Sequence, residues 1–201
     1  MQKELQTLID GNNRFINGSS IHPNRSQEVR SALVAKQTPF ATIITCSDSR
    51  VPPEILFDVG LGDIFVIRTA GHILTSAGLA TLEYAVHHLH TKLIIVMGHT
   101  HCGAVKSAVG DYEAHNTHSD LQELVNRITP LVEKARQEHE DEEKILNTSI
   151  DYNIYETIDY IKKSNRDIRE MVDRGDIYLI PAKYDIDSGK VEILEKNLLS
   201  K

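Results

Sequence analysis

Two kinds of apolar pattern alternate along this chain. In the first, apolar residues are consecutive and rich in β-branched types, with turn or polar residues near their ends. Residues 40–45 (FATIIT), 63–68 (DIFVIR), 92–97 (KLIIVM) and 177–180 (IYLI) have this form and predict four short strands. Continuous rather than alternating apolar character is the mark of parallel strands covered on both faces. A fifth run, 191–194 (VEIL), is reached through Asp187-Ser188-Gly189 and predicts an antiparallel edge strand.

In the second pattern, apolar residues recur every three or four positions. Leu5, Leu8, Ile9, Phe15 and Ile16 predict an N-terminal helix whose apolar stripe must pack on something larger. Leu82, Ala85, Val86 and Leu89 predict a helix before the third strand. The series Leu121, Leu124, Val125, Ile128, Leu131, Val132 and Ala135 predicts another, with Ser119 and Gln122 as a capping box and Pro130 as a point of bending or breakage. Ile150, Ile154, Ile158, Ile161, Ile168 and Met171 predict one long third helix ended by Gly175. Strands alternating with helices predict an α/β fold. Its centre is a mostly parallel sheet of about four parallel strands plus the antiparallel edge strand, flanked by helices. No repeat or linker divides the chain, so residues 1–201 are expected to form a single domain.

Composition adds mainly exclusions. Of 201 residues, 40% are apolar and 25% charged, which is ordinary for a globular domain. The net charge of −7 gives no general nucleic-acid footprint. No apolar run has membrane-spanning length, so no membrane partner is expected. The first residues, MQKELQTLIDGNNRF, read as an amphipathic helix rather than a secretory signal, and the chain is expected to be cytoplasmic unless a leader was trimmed. The acidic run 138–143 (EHEDEE) reads as a solvated segment.

Sites in open α/β sheets form outside the carboxyl ends of the strands. Here those ends carry unusual chemistry. The first strand runs into Cys46-Ser47-Asp48-Ser49-Arg50 and the third into Gly98-His99-Thr100-His101-Cys102-Gly103, so the two ends hold both cysteines of the chain. Cys46, His99 and Cys102 offer two thiolates and an imidazole, a zinc-type set too soft for magnesium or calcium. Three protein ligands leave a fourth position open, as catalytic zinc requires, and Asp48 is near enough in sequence to close it. The bland alternative is a pair of buried inert thiols, or a structural zinc tying two loops together. A redox pair is disfavoured because no Cys-x-x-Cys is present. Two thiolates make zinc a weaker Lewis acid, so an acceptor that holds and orients its hydroxide would help. Asp48, kept ionised and off the metal by Arg50, suits that role, although on its own the pair also reads as a loop salt bridge. Gly60-Leu61-Gly62 does not complete a dinucleotide fingerprint and reads as a turn. His87, His88 and His90 read as surface histidines. His101 points away if both neighbours bind metal, and His115 and His118 lie in a polar loop.

Taken in order and spacing, four motifs resemble the β-class carbonic anhydrases: Cys46-Ser-Asp48-Ser-Arg50-Val, Gly62-Asp-Ile-Phe65-Val-Ile-Arg68-x-Ala-Gly, Glu83-Tyr84-Ala-Val, and Gly98-His99-x-x-Cys102-Gly103. Similarity is strongest from about residue 37 to 109 and extends weakly to Gly11-Asn-x-Arg-Phe and to Tyr184-Asp-Ile-Asp-Ser-Gly-Lys-Val. The resemblance implies zinc on Cys46, His99 and Cys102, with Asp48 and Arg50 as a catalytic dyad. In a closed state Asp48 itself would be the fourth ligand. It implies substrate contacts at Gln37, Phe65, Tyr84 and Gly103, and an N-terminal helix packed on a partner subunit. The implied reaction is reversible hydration of CO2 to bicarbonate and a proton by zinc-bound hydroxide, in a homodimer or tetramer. Two departures stand out. Thr69 and His72 replace an Asn-x-x-Asn pattern that follows the equivalent arginine in many members. Ile43 stands where some allosteric members carry tryptophan, which argues against bicarbonate inhibition of that kind. The rival readings are a non-enzymatic zinc-stabilised scaffold and a hydrolase of a CO2-like molecule such as carbonyl sulfide.

Overall fold

The computed structural model describes residues 1–110 and 120–194. In chain order the elements are α1 (Gln2–Ile16), α2 (Gln27–Ala32), β1 (Ala41–Cys46), α3 (Pro53–Leu56), β2 (Ile64–Thr69), α4 (Ser76–His87), β3 (Leu93–His99), α5 (Gly103–Val109), α6 (Asp120–Glu138), α7 (Glu142–Ser164), α8 (Arg166–Arg174), β4 (Tyr178–Tyr184) and β5 (Val191–Ile193). A 3-10 turn at Ala70–His72 follows β2. The sheet order is β2-β1-β3-β4-β5, with the first three pairings parallel and β4–β5 antiparallel. All five expected strands are present in the expected arrangement.

The two central strands explain their own sequences. Every residue of β1 and β3 is buried, because helices cover both faces. On one face, Ile44, Ile94 and Val96 meet Leu82, Val105, Ile128 and Ile154 from the helices. On the other, Ile43, Ile95 and Met97 meet Leu5, Leu8, Leu56 and Phe57. β2 differs: it is the open edge of the sheet, and only Ile67 among its residues is buried. β4 runs on through Pro181 to Tyr184. The Pro181 carbonyl accepts a hydrogen bond from Leu194, so the side lacking an N–H faces the end of short β5 and not β3.

α1 lies against its own domain. Leu5 and Leu8 are fully buried beside Val51, Leu56 and Phe57. Gly11 lets the Phe57 carbonyl approach so closely that a Cβ would sit 1.8 Å from its oxygen. Asn12 donates to the carbonyls of Leu56 and Gly189 and accepts from Val191 N–H, tying the helix to the edge hairpin. Leu5 and Leu8 of the apolar stripe thus find their cover within the chain, while Ile16 remains exposed.

The long third helix is two helices. Asn165 adopts an extended backbone, and its Oδ1 accepts from Ile168 N–H at 3.0 Å while Nδ2 donates to Glu83. A short amide side chain that can cap a new turn competes with continuing the old one. Ile161 and Ile168 are buried on either side of the break, which is why one apolar period seemed to run through. Gly175 ends α8 at φ 75°, as expected. Pro130 sits inside α6 without ending it, and the Ser119 cap lies outside the described residues. Among the described residues no helix is long and apolar enough to cross a membrane.

Candidate metal centre

β1 and β3 are neighbours in parallel register and end together, which brings Cys46 beside His99. The chain then turns through Thr100 and His101 so that Cys102 stands at the start of α5. The Sγ atoms of Cys46 and Cys102 and a ring nitrogen of His99 lie within 4.8 Å of one another, and all three residues are buried.

The protonation pattern suits a cation. His99 Nδ1 lies 2.8 Å from the Thr100 carbonyl, which fixes the proton on that nitrogen. The acceptor lone pair of Nε2 is therefore left beside the thiols, buried and without a hydrogen-bond partner among the described residues. A buried orphan acceptor is costly unless something fills its site. The thiols titrate as a pair. Cys46 is drawn well below a normal thiol by hydrogen bonding from Cys102, against the effect of burial, with help from the N–H groups of Asp48 and Gly71. Cys102 is pushed up by the neighbouring Cys46 and by burial. One proton leaves easily and the second does not, unless positive charge arrives between them. The two sulfurs and the imidazole nitrogen together fit zinc.

Asp48 sits at the lip of this cluster, with Oδ2 3.9 Å from His99 Nε2. Arg50 grips the carboxylate twice, Nε to Oδ1 at 3.0 Å and Nη2 to Oδ2 at 2.8 Å, and its own N–H adds a third bond at 2.9 Å. The Arg50 side chain beside it is the main reason the Asp48 carboxyl is held at about 2. Arg50 also reaches the His101 carbonyl at 3.3 Å, coupling the β1 loop to the β3 loop.

Three contributors escaped sequence reasoning as site residues. Arg68 donates to the carbonyls of Cys46 (3.0 Å) and Asp48 (2.7 Å), clamping the loop from β2. Its signal is a charged residue inside an otherwise apolar strand run. Gly71 donates its N–H to Cys46 Sγ at 3.3 Å. His72 is buried against the same turn, and burial lowers its pKa to about 4, so the ring is neutral.

The remaining candidates fall elsewhere. His101 turns away, its φ positive at 56° and its Nε2 3.0 Å from Asp187 Oδ2. His87 pairs with Asp167 and His88 stacks on Tyr84, both at the surface, while His115 and His118 lie outside the described residues. Gly103 opens α5 with nothing within 4 Å of where its Cβ would be. Phe65 and Tyr84 touch each other at 6.1 Å between ring centroids, on the exposed edge strand and α4. Phe65 pairs with Thr42, four residues before Cys46, so it stands about 13 Å back along the sheet at 3.3 Å per residue. Gln37 is exposed and precedes β1 altogether. A single chain therefore assembles the candidate metal ligands Cys46, His99 and Cys102 with Asp48 and Arg50, and leaves Gln37, Phe65 and Tyr84 at the far end of the strands.

Comparison with known proteins bears on this arrangement. A family model described as carbonic anhydrase matches residues 41–191. Carbonic anhydrase 2 of Mycobacterium tuberculosis is 37% identical over 186 residues, covering 92% of this chain and 88% of its own. The carbonic anhydrase of Mycolicibacterium smegmatis is 36% identical over 192 residues, covering 94% and 90%. This chain belongs to the β-carbonic anhydrase family. The solved structure of the β-carbonic anhydrase CcaA shares its fold at a TM-score of 0.75 and 28% identity, over 98% of this chain and 97% of that one. The five-stranded sheet and the paired strand ends are thus those of a β-carbonic anhydrase, and the enzyme class expected from the motifs is the one the family carries.

Proposed function

We propose that this chain catalyses the reversible hydration of CO2 to bicarbonate and a proton, with zinc held by Cys46, His99 and Cys102. The observation that carries the reading is the buried Nε2 of His99, unpartnered among the described residues, beside two thiols and with an ionised Asp48 3.9 Å away. Bound zinc would supply the Lewis acidity that turns water into a nucleophile near neutral pH. Asp48 accepts a hydrogen bond from the attacking water and aims its lone pair at the carbon of CO2. Arg50 keeps that carboxylate ionised and turned away from the metal. As the water oxygen bonds to carbon, one C=O electron pair moves onto oxygen, and the proton lost by water passes to buffer. Released from Arg50, Asp48 would close the site as a fourth ligand.

The substrate wall comes from a second copy of the chain. Gln37, Phe65 and Tyr84 are about a strand's length from their own Cys46, near the amino ends of β1 and β2. Two chains meeting antiparallel along the open β2 edge would set these residues of one against the carboxyl strand ends of the other. An unprotected edge strand carrying Phe65 beside an exposed Tyr84 is suited to such pairing. We therefore read the active unit as a homodimer or a multiple of one, with Gly103 leaving room for substrate beside the metal. A site that needs both cysteines as thiolates suits a reducing compartment, the cytoplasm.

Stopped-flow CO2 hydration by the zinc-loaded protein tests the reading. Turnover should disappear together with zinc in Cys46→Ser. A zinc-loaded wild type that accelerates nothing would leave a zinc-stabilised scaffold. Preference for carbonyl sulfide in direct competition would mark a hydrolase of that molecule instead.

A further inference from the structure

Asn153 lies on α7, far in sequence from every candidate ligand, yet it is 3% exposed and turned toward the Gly71–His72 turn beside Cys46. Its Nδ2 donates to the Gly71 carbonyl at 2.8 Å and lies 3.3 Å from His72 Nε2. The peptide N–H of that same Gly71 donates to Cys46 Sγ at 3.3 Å. Gly71 has φ 61°, a conformation that costs glycine little and leaves it free to tilt. Something must therefore hold its N–H on the sulfur, and Asn153 is placed to do so from the carbonyl side. The next residue, Ile154, packs on Gly98, directly before His99: a Cβ there would lie 2.8 Å from its Cδ1. One turn of α7 thus braces both ligand-bearing segments, one by hydrogen bonds and the other by packing.

We propose that Asn153 is a positioning residue that sets the electron donation of the Cys46 thiolate, by fixing Gly71 so that its N–H stays bonded to Sγ. A hydrogen bond to a metal thiolate draws charge off the sulfur and leaves the metal more electrophilic. In a site with two thiolates that correction has a purpose, because two such ligands otherwise blunt the Lewis acidity the reaction needs. Cys102 has its own donors in the N–H groups of Ala104 and Val105, supplied by α5 itself. Cys46 stands at a strand end and depends on a turn held from outside.

The inference rests on the reading of Cys46, His99 and Cys102 as metal ligands, and its test separates the two. Cobalt-substituted protein shows a thiolate-to-metal charge-transfer band whose energy falls when the sulfur becomes more electron-rich. Asn153→Leu, which keeps bulk and removes the donor, should bind cobalt fully and move this band to longer wavelength. Zinc-loaded Asn153→Leu should turn over about 10-fold more slowly. Ile154→Val, a packing loss in the same turn, should leave the band in place. A purely structural role predicts loss of cobalt without a band shift, so a folded, cobalt-loaded Asn153→Leu with the wild-type band overturns the proposal. Failure of the wild type to bind cobalt overturns the metal reading instead, and this inference with it. Should Asn153→Leu not fold, the wild type decides: loaded with an NMR-active cadmium isotope, its Gly71 amide proton should couple to the metal through Sγ, and absence of that coupling refutes the proposal.

Discussion

Replacing Arg50 with alanine removes the two side-chain bonds that hold Asp48 and leaves only the backbone N–H on Oδ1. Holding the Asp48 carboxyl at about 2 instead of 3.8 corresponds to roughly 2 kcal/mol. Part of this survives in the mutant through the backbone bond, and the half-exposed Arg50 is screened by water, so about 1–1.5 kcal/mol is a fairer figure. That is about a 10-fold change in the balance between a carboxylate turned to Arg50 and one free to swing. The swing is short, because Oδ2 already lies 3.9 Å from Nε2 of His99, the nitrogen proposed to bind the metal. Arg50→Ala should therefore keep its zinc while turnover falls about 10-fold or more, and zinc X-ray absorption should gain a carboxylate oxygen. If the variant is fully loaded, turns over like the wild type and has the same absorption edge, the guanidinium does not control Asp48 and the account of the pair is wrong.

Asp58 is fully buried, and although burial alone would raise its pKa, Arg14 and the N–H groups of Ile21 and His22 outweigh it and hold the carboxyl below 3.8. Asp58→Asn should cost about 2–4 kcal/mol in urea unfolding at neutral pH. A depressed pKa gives stability that is complete above 3.8 and lost as pH falls through the lower folded value, so the gap between the two proteins should narrow in acid. Gly98→Ala puts a Cβ 2.8 Å from Ile154 and 3.3 Å from His72 and should cost about 1–3 kcal/mol by thermal unfolding, part of which Ile154→Val should restore by removing Cδ1. Co-expressing Cys46→Ser with the Gln37→Ala/Phe65→Ala chain and purifying the mixed dimer through two tags should recover part of the activity that each lacks alone. A fully active monomer by ultracentrifugation would refute the shared pocket.

The strands and the candidate ligands were legible for the same reason. A buried parallel strand must be apolar along its whole length, so the place where Cys46 or His99 interrupts that pattern stands out without any knowledge of the fold. Short helices were not legible: α2, α3 and α5 have 6, 4 and 7 residues, too few turns for a period to show. The break at Asn165 was hidden because the isoleucines on both sides face the same core. Helix α1 was read correctly as amphipathic, but an apolar stripe does not say which surface covers it.

What stayed unreadable at the site has a common cause. The Gly71 N–H that touches Cys46 is a backbone group, and no sequence letter marks where such a group points. Asn153, which holds it, is 82 residues away on a helix whose pattern reports only its apolar face. The pocket residues pose the opposite problem: Phe65 and Tyr84 are conspicuous, and the resemblance assigns them to substrate, yet the parallel register puts Phe65 four residues short of Cys46 along the sheet. A parallel strand cannot bring its early residues to its own carboxyl end. Either these aromatics have no part in the chemistry, or a second sheet running the other way carries them to it. The β2 edge, which among the described residues pairs with no strand on its outer side and has mostly part-exposed side chains, is where the second alternative can be realised. On the proposed reading, the ligand set belongs to one chain's strand ends, whereas the substrate wall would form where two sheets meet.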